Sequence, residues 1–231
     1  MVDNNQIYIP HLTSRLRRNY VSVPPIIQTA SGINIFGKTI RSLIFTTDVA
    51  IIENTNADAV IAVYPFTPQP SITQALLTIA DIPVLCGVGG GLTQGIRSAD
   101  IALHAEFQGA LGVVMNAPTP NETIQAVKER VDIPVAITIV SEHTNIQEKL
   151  DVGVDMLNVS GGSKTPSIVT AIRKSFPYIP IIATGGNTEE SIKATIKAGA
   201  NAISFTPPST AELFKERMEI YRAEENAKYN K

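Results

Sequence analysis

One cysteine, Cys86, serves all 231 residues, so no internal disulfide is possible and the fold must be held by packing and hydrogen bonds. Neither sign of charge dominates. Nineteen Lys and Arg face 21 Asp and Glu, a formal net charge of −2, which predicts neither nucleic-acid binding nor steering toward a membrane. No uncharged apolar run reaches the roughly 18 residues of a membrane span. The opening MVDNNQIYIPHL lacks the apolar stretch of a secretion signal, so a cytoplasmic protein is expected. No Ser/Gly-rich or charged linker divides the chain, and residues 1–231 read as one domain with 1–40 as an N-terminal extension. No His/Cys/Asp cluster has metal-ligand spacing, and no metal is expected.

What is present is 44% hydrophobic residues arranged as an internal repeat. Two signatures interleave, each returning roughly every 50 residues, a period that marks repeated supersecondary units. The first is Ile-Pro before an apolar run, at Ile82-Pro83, Ile133-Pro134 and Ile179-Pro180. The second is a small residue before an apolar run, at Ala57-Asp58-Ala59, Gly109-Ala110-Leu111, Gly153-Val154-Asp155 and Gly199-Ala200-Asn201. Proline at the first residue of a strand costs no ladder bond and stops the preceding helix; glycine just past a helix supplies its left-handed end. Both are helix-to-strand junctions. The runs that follow are apolar on consecutive residues, as parallel strands covered on both faces must be.

Strands are therefore expected at 59–64, 83–88, 110–115, 134–139, 155–159, 180–184 and 201–205, each followed by a helix. Two runs compete for the remaining strand, 25–30 and 41–46. The second is favoured, because Asp48 can cap a short helix leading into the next strand. The stretches 25–30 and 33–36 would then form a hairpin, joined by Ser31-Gly32, that closes the barrel bottom. His11, Arg15, Arg17 and Arg18 would occupy a solvated N-terminal helix. The expected fold is an α/β (β/α)8 TIM barrel with that N-terminal helix and hairpin; an open doubly wound sheet is the alternative. The length suits a barrel with few insertions, which needs roughly 250 residues.

Barrel enzymes work at the C-terminal ends of their strands. There the chain offers Asp48 after the first strand, Cys86 on the third, Asn116 after the fourth, and Thr138 with Glu142 and His143 at the fifth. It offers Asn158 with Gly161-Gly162-Ser163-Lys164 at the sixth, Thr184 with Gly185-Gly186-Asn187 at the seventh, and Thr206 and Ser209 after the eighth. Glycine lets backbone approach an anion, and helix N-termini aim N–H groups at it. The turns at Gly161-Gly162 and Gly185-Gly186 thus read as a phosphate site, with Lys164 adding a point charge. Pro207 and Pro208 remove two amide donors from the eighth turn. Asp48, Glu142 and His143 are the proton-transfer candidates, and Asn158 and Asn116 would orient a substrate.

The segment Ile181-Ile182-Ala183-Thr184-Gly185-Gly186, followed by Ala198-Gly199-Ala200-Asn201-Ala202, resembles the ribulose-phosphate-binding and flavin-nucleotide-binding barrels, and the likeness extends loosely over residues 130–206. The resemblance implies a late-strand phosphate site and self-association into homo-oligomers. It also implies either an enzyme of a small anionic metabolite needing no cofactor, of isomerase, lyase or hydrolase type, or an oxidoreductase holding FMN in the same turns. The epimerases and Schiff-base aldolases of such barrels place lysine where this chain has Thr138 and Asn158. A non-catalytic ligand-binding barrel is the third reading.

Overall fold

A computed structural model describes Pro10, residues 12–16 and residues 20–229. Eight strands close into a parallel barrel: β3 (Ser42–Phe45), β4 (Ala59–Ala62), β5 (Val84–Gly89), β6 (Gly112–Met115), β7 (Val135–Ile139), β8 (Met156–Val159), β9 (Ile181–Thr184) and β10 (Ala202–Phe205), with β10 pairing back onto β3. Eight α-helices alternate with them: α1 (Val49–Ile52), α2 (Pro70–Ile79), α3 (Ile96–Phe107), α4 (Asn121–Lys128), α5 (Ile146–Asp151), α6 (Thr165–Ser175), α7 (Glu189–Lys197) and α8 (Thr210–Tyr229). The first barrel strand is the favoured run at 41–46.

The hairpin exists, but its partners differ from the expectation. Pro25–Thr29 is a 3-10 helix rather than a strand; Pro25 sits in its first turn, where the fixed φ of proline suits a helix and its missing N–H is no loss. The hairpin joins β1 (Ile33–Ile35) to β2 (Lys38–Ile40) through Phe36-Gly37, both with positive φ, as a two-residue turn matched to strand twist requires. Of the expected N-terminal helix, His11, Arg17 and Arg18 lie outside the described residues, and residues 12–16 form a turn at Arg15-Leu16. Ile33, Ile35 and Ile40 are buried in one cluster with Leu43, Ala59, Ile61, Leu85, Leu111, Ala136, Met156 and Ala202. Small residues at the strand starts leave room for these isoleucines, which plug the barrel from below.

The repeat signatures have a direct structural meaning. Asp58 Oδ2 accepts from the Ser42 amide at 2.9 Å while the Asp58 amide donates to the Ser42 carbonyl at 3.2 Å. Asp155 does the same with Val135, at 2.8 and 3.0 Å, and Asn201 with Ile181, at 3.0 and 2.9 Å. The Ile-Pro signature supplies the adjoining rung: the carbonyls of Pro83, Pro134 and Pro180 accept from Val60, Val113 and Leu157 at 2.8, 2.9 and 2.9 Å. Each Asx side chain thus adds a hydrogen bond where the ladder would otherwise run out, fixing register at the barrel bottom.

In the Asp58 clamp, Oδ2 also takes the Arg41 amide and the Ser42 hydroxyl, each at 2.9 Å. Asp58→Ala leaves these donors without an acceptor. It is expected to cost about 3 kcal/mol in urea unfolding, given roughly 1–3 kcal/mol per unsatisfied buried group, with Asp58→Asn losing less.

Candidate functional site

Side chains alternate across a strand with period two, so the mouth residues follow from the core below them. Two positions beyond the buried Val114, Ala136, Met156, Ile182 and Ala202 stand Asn116, Thr138, Asn158, Thr184 and Ser204. Beyond Leu43, Ile61 and Leu85 stand Phe45, Val63 and Gly87. The mouth is therefore divided. The β6–β10 side presents neutral hydrogen-bonding groups, and the β3–β5 side presents apolar side chains and glycine.

On the polar side, Asn158 is 8% exposed, and its Nδ2 donates to Thr138 Oγ1 at 3.2 Å. The Asn158 carbonyl, the Asn116 carboxamide and the Thr184 and Ser204 hydroxyls make no hydrogen bond to any described residue, which leaves them for a ligand. A buried or half-buried polar group without a partner is costly unless something in the cavity satisfies it. On the apolar side, a cavity of about 240 Å³ is lined by Val63, Tyr64, Phe66, Thr67, Gly87, Thr93 and Asn116, among others. Gly90 must be glycine: its φ is +96°, and a Cβ would lie 2.1 Å from the Asn116 carbonyl oxygen. Of this lining, Tyr64 and the Gly89-Gly90-Gly91 turn stand at strand ends, where the sequence places the mouth, whereas Thr67 and Thr93 carry no signal in the sequence.

The glycine turns expected to take an anion behave differently from one another. After β8, the Gly161 amide is taken by Thr165 Oγ1 at 3.0 Å, while Gly162, Ser163 and Lys164 are exposed in a 3-10 turn. Lys164 forms no ion pair with a described residue. After β9, the Gly185 amide donates to Ser204 O at 3.2 Å, whereas the Gly186 and Asn187 amides, at the start of α7, have no acceptor among the described residues. After β10, Ser209 is committed: its amide and hydroxyl both meet Glu212 Oε2, each at 2.7 Å. The Ser209 amide holds the Glu212 carboxyl below its usual range, with the hydroxyl adding to the effect. A carboxylate from the chain itself fills the α8 N-terminus, and Thr206 is exposed beside it.

Asp48 is the N-cap of α1. Oδ1 accepts from Ala50 and Ile51 at 2.9 and 3.4 Å, and Oδ2 accepts the Thr210 hydroxyl, which ties α1 to the start of α8. The Thr210 bond is the main reason its carboxyl lies below the ordinary value; partial burial opposes this and the α1 amides reinforce it. Both oxygens are thus occupied by caps. Glu142 and His143 stand exposed on the loop after β7, with Nε2 and Oε1 4.0 Å apart, and neither is tied into the fold by its side chain. Cys86 was expected to line the mouth. It is 2% exposed and packs in the layer between barrel and helices, because period two turns it outward and leaves Gly87 facing the mouth. Burial pushes its thiol up to about 12. His104, in α3, has a buried Nε2 with no partner among the described residues.

No family model matches the chain, and no curated protein matches it significantly. Solved structures do. Phosphonopyruvate hydrolase in complex with oxalate and Mg++ is similar with a TM-score of 0.62 at 13% identity, over 84% of this chain and 85% of that one. A 2,3-dimethylmalate lyase, a PEP mutase/isocitrate lyase superfamily member, gives 0.58 at 14%, over 93% and 86%. Thiamine phosphate pyrophosphorylase from Pyrococcus furiosus gives 0.53 at 17%, over 71% and 84%. At these identities the likeness is one of fold, and the resemblance to phosphate-binding barrels narrows to the barrel itself. Among the described residues no three His, Cys, Asp or Glu side chains gather where they would hold a metal ion.

Two outcomes test these assignments. With its thiol at about 12, Cys86 is expected to resist thiol reagents at pH 8 in the native protein and to react fully once denatured. A carboxyl whose folded value is depressed contributes stability above the ordinary carboxylate range and loses it as pH falls through the folded value. Asp48→Ala is therefore expected to cost about 1 kcal/mol at neutral pH, as lost caps do. The gap from the parent should close as the medium is acidified below about pH 4, read from thermal unfolding at each pH.

Proposed function

We propose that the protein is an enzyme that converts a small phosphorylated or carboxylated metabolite at the C-terminal mouth of the barrel, by proton transfer of the isomerase, lyase or hydrolase type. The divided mouth carries this reading. A ligand with an anionic head and a short organic body fits both halves: the head against Asn158, Thr184, Ser204 and the free amides of Gly186 and Asn187, the body in the 240 Å³ cavity beside Tyr64 and Asn116. Lys164, exposed and without an ion pair among the described residues, supplies charge for the head. Glu142 and His143 are the groups left for proton transfer, because the oxygens of Asp48 already serve as caps and Cys86 faces away. Folding of their loop over the mouth brings the pair onto the substrate. The resemblance of the Ile181–Gly186 segment to ribulose-phosphate-binding barrels agrees with an anion at this end, as does the general placement of such sites. A soluble cytoplasmic enzyme is the setting that fits, and no helix among the described residues is long and apolar enough to cross a membrane.

A second reading has an observation of its own. No titratable side chain belongs to the inner ring of Asn116, Thr138, Asn158, Thr184 and Ser204, which suits a barrel that holds a ligand without converting it. FMN in the same turns is the oxidoreductase alternative, and purified protein that is yellow would favour it.

The test is a thermal-shift panel of small phosphate esters and carboxylates, followed by turnover assays on whichever compounds stabilise the protein. Asn158→Leu and Thr184→Val are expected to abolish the stabilisation. Glu142→Gln and His143→Ala are expected to keep it and to lower kcat by about 10²–10⁴, the usual contribution of a positioned acid or base. Stabilisation with no turnover of any stabilising compound would decide for the non-catalytic barrel, and no stabilisation across the panel would sink the anionic-ligand reading.

A further inference from the structure

Among the α-helices of the described residues, α8 alone has no buried residue. Twenty residues of helix held only at one end are marginal in water, since most helical stability comes from packing an apolar face. That face exists. Leu213, Phe214, Arg217 and Ile220 lie three and four apart on one side, with Tyr221 next to it; Phe214 is 66% exposed, Ile220 48% and Tyr221 52%. The stripe faces a groove of about 860 Å³ whose far wall is Tyr20, Val21, Ala50, Ile51 and Phe205. The connection explains why α8 stands off. Pro207-Pro208 keeps the chain extended after β10, and the Asp48–Thr210 and Ser209–Glu212 bonds fasten the first turn before the helix reaches the barrel wall.

We infer that this groove receives α8 of a second copy of the chain, in a two-fold dimer whose α8 helices pack antiparallel against each other. The dimensions fit. A helix about 10 Å across that rises 1.5 Å per residue fills roughly 120 Å³ per residue, so a groove of about 860 Å³ holds about seven residues, two turns. The stripe from Leu213 to Ile220 has that length. The area points the same way. About half of the apolar stripe is open, on the order of 400 Å² per copy, and the walls at Tyr20, Ala50 and Phe205 add to it, which brings a two-fold contact toward the roughly 1,200 Å² of a specific interface. A two-fold contact requires a patch that matches itself, and α8 supplies both the inserted ridge and one wall of the groove.

The test is sedimentation of the full chain across a dilution series, with circular dichroism as a control for folding. A dimer is expected, with Phe214→Glu and Ile220→Glu each raising the dissociation constant at least about 10-fold and leaving the far-ultraviolet spectrum unchanged. Arg217→Cys, near the middle of the helix pair, is expected to give a disulfide-linked dimer on mild oxidation, because Cys86 is buried and does not compete. A monomer at every concentration would overturn the inference. So would a dimer indifferent to both glutamate variants that also fails to cross-link through position 217, since the groove would then belong to another occupant such as the N-terminal segment or a small apolar ligand.

Discussion

The registration of strands at the bottom of the barrel is the constraint on which the rest depends. A parallel barrel closes only if each strand starts at the right height, and a slip of one residue would turn every side chain to the other face. This chain fixes the starts with side chains. Asp58, Asp155 and Asn201 each exchange two hydrogen bonds with the first residues of the neighbouring strand, and Pro83, Pro134 and Pro180 offer carbonyls where they have no amide to leave unpaired. The remaining junction of this kind has Leu111 where the others have Asp or Asn, so the β5–β6 seam goes without this clamp; its register shifts between Gly87 and Gly89, next to the mouth cavity.

With register fixed, the composition of the mouth is a consequence of counting. The same strands that place Ala136, Met156, Ile182 and Ala202 in the core place Thr138, Asn158, Thr184 and Ser204 one layer above them. The hairpin isoleucines complete the apolar layer beneath, which isolates these polar groups from water on one side only. They face the open end of the barrel. The opposite half of the rim, with glycine in β5, has space instead of side chains. The ligand proposed for this mouth would meet both halves, with no charged residue in the innermost ring.

The outer layer shows how strongly local chemistry can claim a residue that also stands near a site. Asp48 and Ser209 both lie at strand-to-helix loops of the mouth, and both are used by helix N-termini: Asp48 by α1 and by Thr210, Ser209 by Glu212. Glu142 and His143 have no such duty, and neither do Lys164 and the amides of Gly186 and Asn187. Groups that the fold does not consume are the ones available for chemistry.

The sequence by itself determined the barrel, because junction residues are local: an Ile-Pro pair or a glycine at a helix end acts through its own backbone, and the run after it is apolar whichever neighbours it meets. It also picked out Asn116, Thr138, Asn158 and Thr184 as polar residues at strand ends, because each stands where an apolar run stops. Tertiary structure alone decided which way Cys86 points, because the phase of alternation depends on the partner strands. It decided that Pro25–Thr29 coils while Lys38–Ile40 pairs with Ile33–Ile35, a contest between short segments settled by which isoleucines fit under the barrel. And it decided that α8 stands clear of the wall, because a charged helix with an apolar stripe reads the same in sequence whether that stripe meets its own barrel or something else.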